Sequence, residues 1–209
     1  AVTDYEAAKL VINKDKPGTN VTGSSDLNPI GAQLDLIMQF VPNAKTIGTI
    51  YNSSEINSQF QVEILKKELA RYNVTLVEGT VSSVNDVQQV AQGLIGKIDA
   101  LYVPTDNIIA SAMPVLTKIT TPAKVPVITG EEGPLHGGGL ATVGVDYYEL
   151  GKIAGNMGAD ILEGKSKPAD MPIQYQKEFK VKVNEPVLKT LGLQLPEALK
   201  GKAELGDFH

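Results

Sequence analysis

The chain has 209 residues, 42% of them hydrophobic, so it is long enough to bury a core in one large domain or two small ones. Nineteen Lys and Arg residues against 24 Asp and Glu residues give a formal net charge of −5, and no basic run occurs, which argues against a nucleic-acid partner. The absence of Cys excludes disulfides, zinc-thiolate centres, iron–sulfur clusters and thiol nucleophiles.

The first 44 residues show no regular repeat of elements. Apolar periodicity and turn residues predict a helix-like stretch over residues 5–12, a turn at Pro17–Gly18, a short strand around Val21 and a helix over residues 29–40. The pattern leaves open whether these pieces continue a central sheet or belong to a second body.

The middle of the chain repeats one unit, in which a β-branched apolar run ends in small polar residues and is followed by a helix of 3.6-residue period. The predicted strands cover residues 45–51, 74–81, 100–103 and 125–129. Helices of about 11 to 16 residues between such strands are typical of βαβ units. We therefore expect a parallel sheet with helices on both faces.

Three helices are predicted between these strands. The first begins at an N-cap at Asn57 or Ser58, and the second at an N-cap at Asn85 or Asp86. The third ends near Thr120, with a Pro at position 114 that must sit in its first turn or kink it.

The C-terminal part is predicted to contain two strands and two helices. The strands cover residues 140–145 and 179–183, and the second helix ends near Leu191. The first helix covers residues 148–163, and its expected inward face consists of Leu150, Ile153, Ala154, Met157 and Ile161.

In an open parallel sheet, ligands bind outside the carboxyl ends of the strands. The loops that leave the predicted strands are rich in polar residues: Asn52, Ser53, Ser54, Glu55, Asn57, Ser58, Ser82, Ser83, Thr105, Asp106, Asn107, Glu131 and Glu132. This set suits a zwitterion, since helix N-termini attract a carboxylate and Asp or Glu attracts an ammonium. Each residue has an equally plausible role as a helix cap. The Thr105–Asn107 loop exceeds what one cap requires and is the strongest candidate.

Catalytic and metal sites find little support. The only histidines, His136 and His209, are interpreted as solvated loop residues, and no Ser–His–Asp set can be assembled. The pair Glu131–Glu132 is thin evidence for a metal, and the glycines at 137–139 do not open a helix after a strand, so they are not a dinucleotide fingerprint. We therefore expect that the protein uses no cofactor and is not an enzyme.

Asp146 and Tyr147 precede the helix that follows the 140–145 strand. In one interpretation Asp146 caps this helix and a tyrosine packs beneath it. In the other, a tyrosine ring lines a cleft and Asp146 meets a polar group of the ligand. The sequence does not favour either.

Several motifs, in order and at consistent spacing, resemble one family. They lie at residues 17–23, 33–34, 42–45, 47–48, 51–52, 55, 57–58, 102–107 and 144–151. Together they resemble the substrate-binding proteins of bacterial ABC transporters in the tryptophan/tyrosine-type group, which have the type I periplasmic-binding fold. The resemblance covers essentially the whole chain.

The resemblance implies an α/β fold of two lobes that hold a small molecule, with an amino acid the expected ligand, and deliver it to a membrane permease without chemistry. Lobe two, a parallel α/β lobe, would cover residues 45–130, with its end and the return crossing at 131–147. Lobe one and the first crossing would take residues 1–44 and 148–209. The implied ligand-binding residues are Thr3, Asp4, Glu55, Asn57, Ser58, Thr105, Asp106, Asn107, Asp146 and Tyr147. The exit loops add Ser53 and Glu131, which gives twelve predicted ligand-binding residues.

One departure concerns lobe one. Family members begin with a long stretch of this lobe ahead of the segment that matches Val2–Asp4, so the resemblance implies an N-terminally truncated chain with an incomplete lobe one. Apolar surface left uncovered would favour a homodimer or a domain swap. The family also implies an extracytoplasmic location, periplasmic or as a lipoprotein.

The leading hypothesis is therefore the solute-binding component of an ABC importer. The alternative is the ligand-sensing module of a transcription regulator of the same fold. An enzyme on a doubly wound sheet is a third hypothesis, disfavoured by the shortage of His, Cys and cofactor fingerprints.

Overall fold

The computed structural model describes residues 1–208, which form two compact units. The first unit contains residues 1–28 and 145–179, and the second contains residues 29–144 and 180–208. His209, one of the two histidines considered above, lies outside the described residues.

The second unit is built on a seven-stranded sheet of order β3-β2-β4-β5-β6-β8-β9. Its strands are β2 (Thr46–Asn52), β3 (Thr75–Val81), β4 (Ala100–Val103), β5 (Val127–Thr129), β6 (Ala141–Gly144), β8 (Lys180–Asn184) and β9 (Glu204–Gly206). The first five strands of this order are parallel, β8 runs antiparallel to β6, and β9 is parallel to β8. The expected parallel α/β lobe is confirmed.

Helices cover both faces of this sheet. They are α1 (Ile30–Phe40), α2 (Ile56–Leu69), α3 (Val84–Leu94), α4 (Asn107–Thr120) and α6 (Glu185–Leu191). α1 packs against α2, and α3 packs against α4. Because side chains alternate along a strand, Leu101 and Val103 enter the core beneath α3 and α4, whereas Tyr102 points to the face covered by α1. Pro114 lies in the interior of α4, where it cannot donate a hydrogen bond to the preceding turn.

The grouping of the flanking residues differs from the sequence-based boundaries, which assigned residues 1–44 and 148–209 to lobe one. α1 packs on β5 and β6, and β8 extends the sheet by pairing with β6. Residues 29–44 and 180–208 therefore belong to the sheet-bearing unit. Backbone pairing between strands 36 or more residues apart leaves no local mark in the sequence.

The first unit contains the two-stranded parallel pair of β1 (Ser24–Ser25) and β7 (Gln174–Tyr175), together with α5 (Tyr147–Leu162). Tyr5, Val11 and Ile173 form a small buried cluster. The prediction of a helix over residues 5–12 is wrong, because the segment is a series of turns in which Lys9 has a φ of 55°. Burial of Tyr5 and Val11 in the same cluster outweighs local helix propensity.

Three further details correct the sequence-based expectations. The strand expected around Val21 forms at β1 instead, three residues later. α2 has Glu55 as its N-cap, so Asn57 and Ser58 lie inside the helix. α3 is capped by Ser83, and Asp86 serves as the reciprocal partner of a capping box rather than as the cap.

The inward face of α5 is narrower than its periodicity predicted. Leu150 and Met157 are buried, whereas Ala154 is exposed and Ile153 and Ile161 are only partly covered. The apolar stripe of α5 is therefore wider than the surface that covers it in unit one.

Gln33 of α1 is fully buried and bonds to three adjacent chain segments of the sheet. Its Nε2 donates to the carbonyls of Gly130 (2.9 Å) and Val143 (2.8 Å), and its Oε1 accepts from the Tyr102 hydroxyl (2.7 Å). The pairing of β5 with β6 ends one residue before these two carbonyls. The Gln33 side-chain amide thus takes over the hydrogen bonding of the β5 and β6 backbones at the point where these strands separate. Burial raises the pKa of the Tyr102 hydroxyl.

We expect Gln33→Leu to lower the free energy of unfolding by about 3 kcal/mol, because it leaves two buried carbonyls and one buried hydroxyl without a partner. Tyr102→Phe leaves only the Gln33 Oε1 unpaired and should cost about 1–2 kcal/mol. Urea unfolding followed by circular dichroism measures both values.

The matched control is Gln89→Leu on the exposed side of α3, which should change stability by less than about 0.5 kcal/mol. A Gln33→Leu protein as stable as this control would show that the bridging amide is dispensable.

Candidate functional site

The parallel strands β2, β3, β4 and β5 end at one edge of the sheet, so their exit loops lie side by side. These loops carry most of the polar residues that the sequence predicted as ligand contacts. We call this group the exit edge; it comprises residues 52–58, 82–83, 104–107 and 130–132.

Asp106 is the centre of the exit edge and is 2% exposed. Its Oδ2 accepts from the backbone N–H of Asn52 (2.6 Å) and from the Ser58 hydroxyl (2.8 Å), while its Oδ1 accepts from the N–H of Ile109 (2.9 Å). The carboxylate therefore caps α4 and also holds the end of β2 and the first turn of α2. Three protein donors stabilise its charge.

The neighbouring Thr105 is fixed through its backbone. Its carbonyl accepts from Asn57 Nδ2 (2.9 Å), and its N–H donates to Gln61 Oε1 (3.1 Å). Gln61 is fully buried on the inner face of α2. The sequence analysis missed Gln61, because a polar residue in the second turn of a helix carries no sign of facing another loop.

The Glu55 carboxylate accepts hydrogen bonds from three Asn side chains of the exit edge. Its Oε2 accepts from Asn107 Nδ2 (2.9 Å), from the Asn107 N–H (3.3 Å) and from Asn57 Nδ2 (3.3 Å), and its Oε1 accepts from Asn52 Nδ2 (3.3 Å). Partial burial opposes ionisation of Glu55, but these hydrogen bonds outweigh it and hold the pKa below its usual value. A negative charge is thus stabilised in a partly exposed position.

The remaining predicted residues of the second unit lie at the margins of the exit edge. Ser53 is exposed, and its carbonyl accepts from the side-chain amide of Gln59. Glu131 is partly buried, and its carbonyl accepts from the Thr129 hydroxyl (2.7 Å). Glu132 forms an ion pair with Lys182 of β8 (2.6 Å), which ties the β5 exit to the sheet.

The first unit brings two predicted residues together through a third that the sequence missed. The carboxylate of Asp26 accepts from the Thr3 hydroxyl (2.9 Å) at Oδ1 and from the Tyr147 hydroxyl (3.2 Å) at Oδ2. Asp26 directly follows β1 and is 9% exposed. The signal for it was the polar run from Ser24 to Asp26, which follows a predicted strand just as the exit loops do.

Asp146 and Asp4 act as local caps in this unit. Asp146 Oδ1 accepts from the N–H of Tyr148 (2.9 Å) and so begins α5, as one of the two interpretations expected. Asp4 Oδ1 accepts from the N–H of Ala7 (2.6 Å). Tyr147 is 45% exposed, with its hydroxyl on Asp26 rather than beneath the helix.

The predicted ligand-binding residues therefore form two groups. Glu55, Asn57, Ser58 and residues 105–107 lie together in the second unit, and Thr3 and Tyr147 meet at Asp26 in the first. Contact of either group with a ligand stays a prediction. Within residues 1–208, no three His, Asp or Glu side chains gather as metal ligands, and no helix is long and apolar enough to cross a bilayer.

The open, mostly parallel sheet with helices on both faces is that of the type I periplasmic-binding fold. The family model described as ABC transporter substrate binding protein matches residues 1–205. The chain belongs to this family.

Individual relatives agree with this assignment. A tyrosine-binding protein of Clostridioides difficile (strain R20291) is 44% identical over 194 residues, which are 93% of this chain and 56% of that protein. The chain spans about half the length of the curated relatives that it matches, 56% in each case.

Solved structures are similar over nearly the whole chain. A conserved domain protein from Vibrio cholerae superposes with a TM-score of 0.92 at 36% identity, covering 98% of this chain and 69% of the other. An ABC domain from Streptococcus pneumoniae in complex with L-Trp gives 0.91 at 38% identity, covering 98% and 71%. Regulators of the LacI family match at 9–18% identity with TM-scores of 0.55–0.58, which shows a shared fold alone.

The lowered pKa of Glu55 predicts a specific dependence of stability on pH. Its contribution is present above the pKa of an unfolded Glu, about 4.3, and is lost as the pH falls through the lower pKa of the folded state. The stability difference between the wild type and Glu55→Gln should therefore shrink as the pH is lowered from 6 to 3. Urea midpoints at half-unit pH steps measure it.

The control variant is Glu204→Gln at an exposed position of β9, which should change stability by less than about 0.5 kcal/mol at pH 7. A wild type–Glu55→Gln difference that stays constant down to pH 3 would contradict a role for the ionised Glu55 carboxylate in stability.

Proposed function

We propose that the chain is the solute-binding component of a bacterial ABC importer and binds an amino acid without making or breaking a bond. The observation that carries this proposal is the match, at 44% identity over 93% of the chain, to a protein described as tyrosine-binding. The similar Streptococcus pneumoniae domain, which is in complex with L-Trp, supports the same ligand class.

The chemistry of the exit edge is compatible with a zwitterionic ligand. Glu55 supplies a stabilised negative charge, and Asn57 and Asn107 supply amide groups that can donate or accept. The N-terminus of α4 lies at the same edge and favours a negatively charged group. We propose that the twelve residues predicted from the sequence supply the ligand contacts.

No residue set in the described part of the chain suggests a reaction. His136 is an exposed residue of a short 3-10 helix, where its ring contacts Phe208. Binding would therefore act through reversible closure over the ligand and its release to a membrane permease. Substrate-binding proteins of this family are extracytoplasmic, and we propose periplasmic residence or a lipid anchor for the complete protein.

The alternative, a ligand-sensing module of a transcription regulator, rests on the shared fold alone. The identities of 9–18% to LacI-family proteins carry no functional argument. A DNA-binding helix-turn-helix in the same polypeptide would favour this alternative.

Calorimetric titration and thermal unfolding of the complete natural polypeptide that carries this chain test the proposal. We expect saturable binding of L-tyrosine or L-tryptophan, with a stabilisation of about 2.7 kcal/mol at a ligand concentration of 100 times Kd. The bound ligand should be recovered chemically unchanged. Silence across all amino acids, nucleosides and sugars would overturn the proposal, and turnover of the ligand would overturn its non-enzymatic part.

We further propose that the isolated 209-residue chain self-associates. Leu162 at the end of α5 is 90% exposed and Ile12 is 77% exposed, and exposed apolar side chains of this kind favour association. Light scattering should give a concentration-dependent mass above the 22.3 kDa of the monomer. A clean monomer at all concentrations would contradict this.

A further inference from the structure

Asp26 differs from the other predicted or observed site carboxylates in how its charge is compensated. It directly follows β1 and is 91% buried, since only 9% of its surface is exposed. Burial of an ionised carboxylate is unfavourable unless hydrogen bonds or an opposite charge replace the lost water.

The partners of Asp26 are two neutral hydroxyls, those of Thr3 and Tyr147. None of the ion pairs recorded within residues 1–208 includes Asp26. Its charge is felt by its surroundings: burial, and after it the negative charge of Asp26, raises the pKa of Tyr5. The buried carboxylate thus lacks a positive counterpart.

Two other carboxylates show the contrast. Asp106 accepts from two backbone N–H groups and one hydroxyl, and Glu55 accepts four hydrogen bonds from N–H groups. Both are stabilised as anions by the protein itself. A carboxylate has about four acceptor positions, and the two hydroxyls occupy one on each oxygen of Asp26. Asp26 therefore retains acceptor capacity for a cation.

The position of Asp26 is compatible with a ligand contact. It directly follows β1, a two-residue strand that pairs in parallel with β7, and ligands of parallel α/β folds bind beyond the carboxyl ends of strands. Tyr147, which donates to it, is 45% exposed and begins a helix, so this cluster combines a buried charge with a ring that reaches the surface.

We infer that Asp26 binds the α-ammonium group of the amino-acid ligand, with Thr3 and Tyr147 orienting its carboxylate. This inference rests on the proposed function and deepens it, because it assigns amine recognition to a residue outside the twelve predicted contacts. Glu55 is the competing carboxylate, but hydrogen bonds from Asn52, Asn57 and Asn107 already stabilise its charge.

The test compares ligands with and without the amino group. The probes are L-tyrosine and 3-(4-hydroxyphenyl)propionate, with L-tryptophan and 3-indolepropionate as a second pair. They are titrated by calorimetry into the complete natural polypeptide and its variants. We expect the wild type to prefer the amine of each pair by at least about tenfold.

Asp26→Asn should weaken binding of the amine ligand by about ten- to a hundredfold while the affinity for the des-amino analogue stays within about threefold. Asp15→Asn, at an exposed position of the first unit, is the matched control and should retain the preference for the amine. Glu55→Gln is measured beside it as the variant of the competing carboxylate. Circular dichroism and the unfolding midpoint establish that each variant is folded.

The outcomes separate the two proposals. An Asp26→Asn protein that still prefers the amine, or that loses both ligands equally, would overturn the inference and leave the proposed function standing. Loss of the preference in Glu55→Gln but not in Asp26→Asn would assign the ammonium to Glu55 and overturn it too. A wild type that binds no probe and no other amino acid would refute the proposed function itself.

Discussion

The Asp106 carboxylate holds β2, α2 and α4 together by hydrogen bonds at the edge where the strands of the sheet end. The hydrogen-bond ladder of a parallel sheet ends with its strands, and the polar groups beyond must find other partners. Asp106 accepts from the last residue of β2, from Ser58 in α2 and from the first turn of α4. These hydrogen bonds hold the ends of three elements together through one side chain.

The carboxylates of the site show that burial alone does not reveal a residue's role. Asp106 is the most buried of them and accepts three hydrogen bonds from protein donors, as suits a structural carboxylate. Glu55 is partly exposed, yet its anion is already stabilised by amides. Asp26 is buried and has only hydroxyl partners among the contacts described above. The nature of the donors, rather than the depth of the group, distinguishes a structural carboxylate from one suited to a cation.

Local signals in the sequence predicted the four central strands to within two residues, because β-branched runs bounded by small polar residues leave few alternatives. The same signals placed most polar groups of the exit edge. These local signals do not reveal contacts between residues far apart in the chain. The two carbonyls that Gln33 satisfies lie 97 and 110 residues away, and in the sequence Gln33 is simply a polar residue in an apolar helix. β8 likewise joins the sheet only through pairing with β6. Asp26 was missed because its strand forms three residues later than predicted.

The chain order of the two units has a consequence for synthesis on the ribosome. The five parallel strands are made first, and β6 then lacks its neighbour until residues 180–184 have been added. In the first unit, β1 likewise waits for β7, almost 150 residues further on. The first unit is completed at residue 179, before β8 and β9 of the second unit have been translated. The growing chain therefore carries an unpaired β1 until residue 174 is added and an unpaired edge at β6 until residue 180 is added, and each is open to mispairing with other nascent chains during that interval.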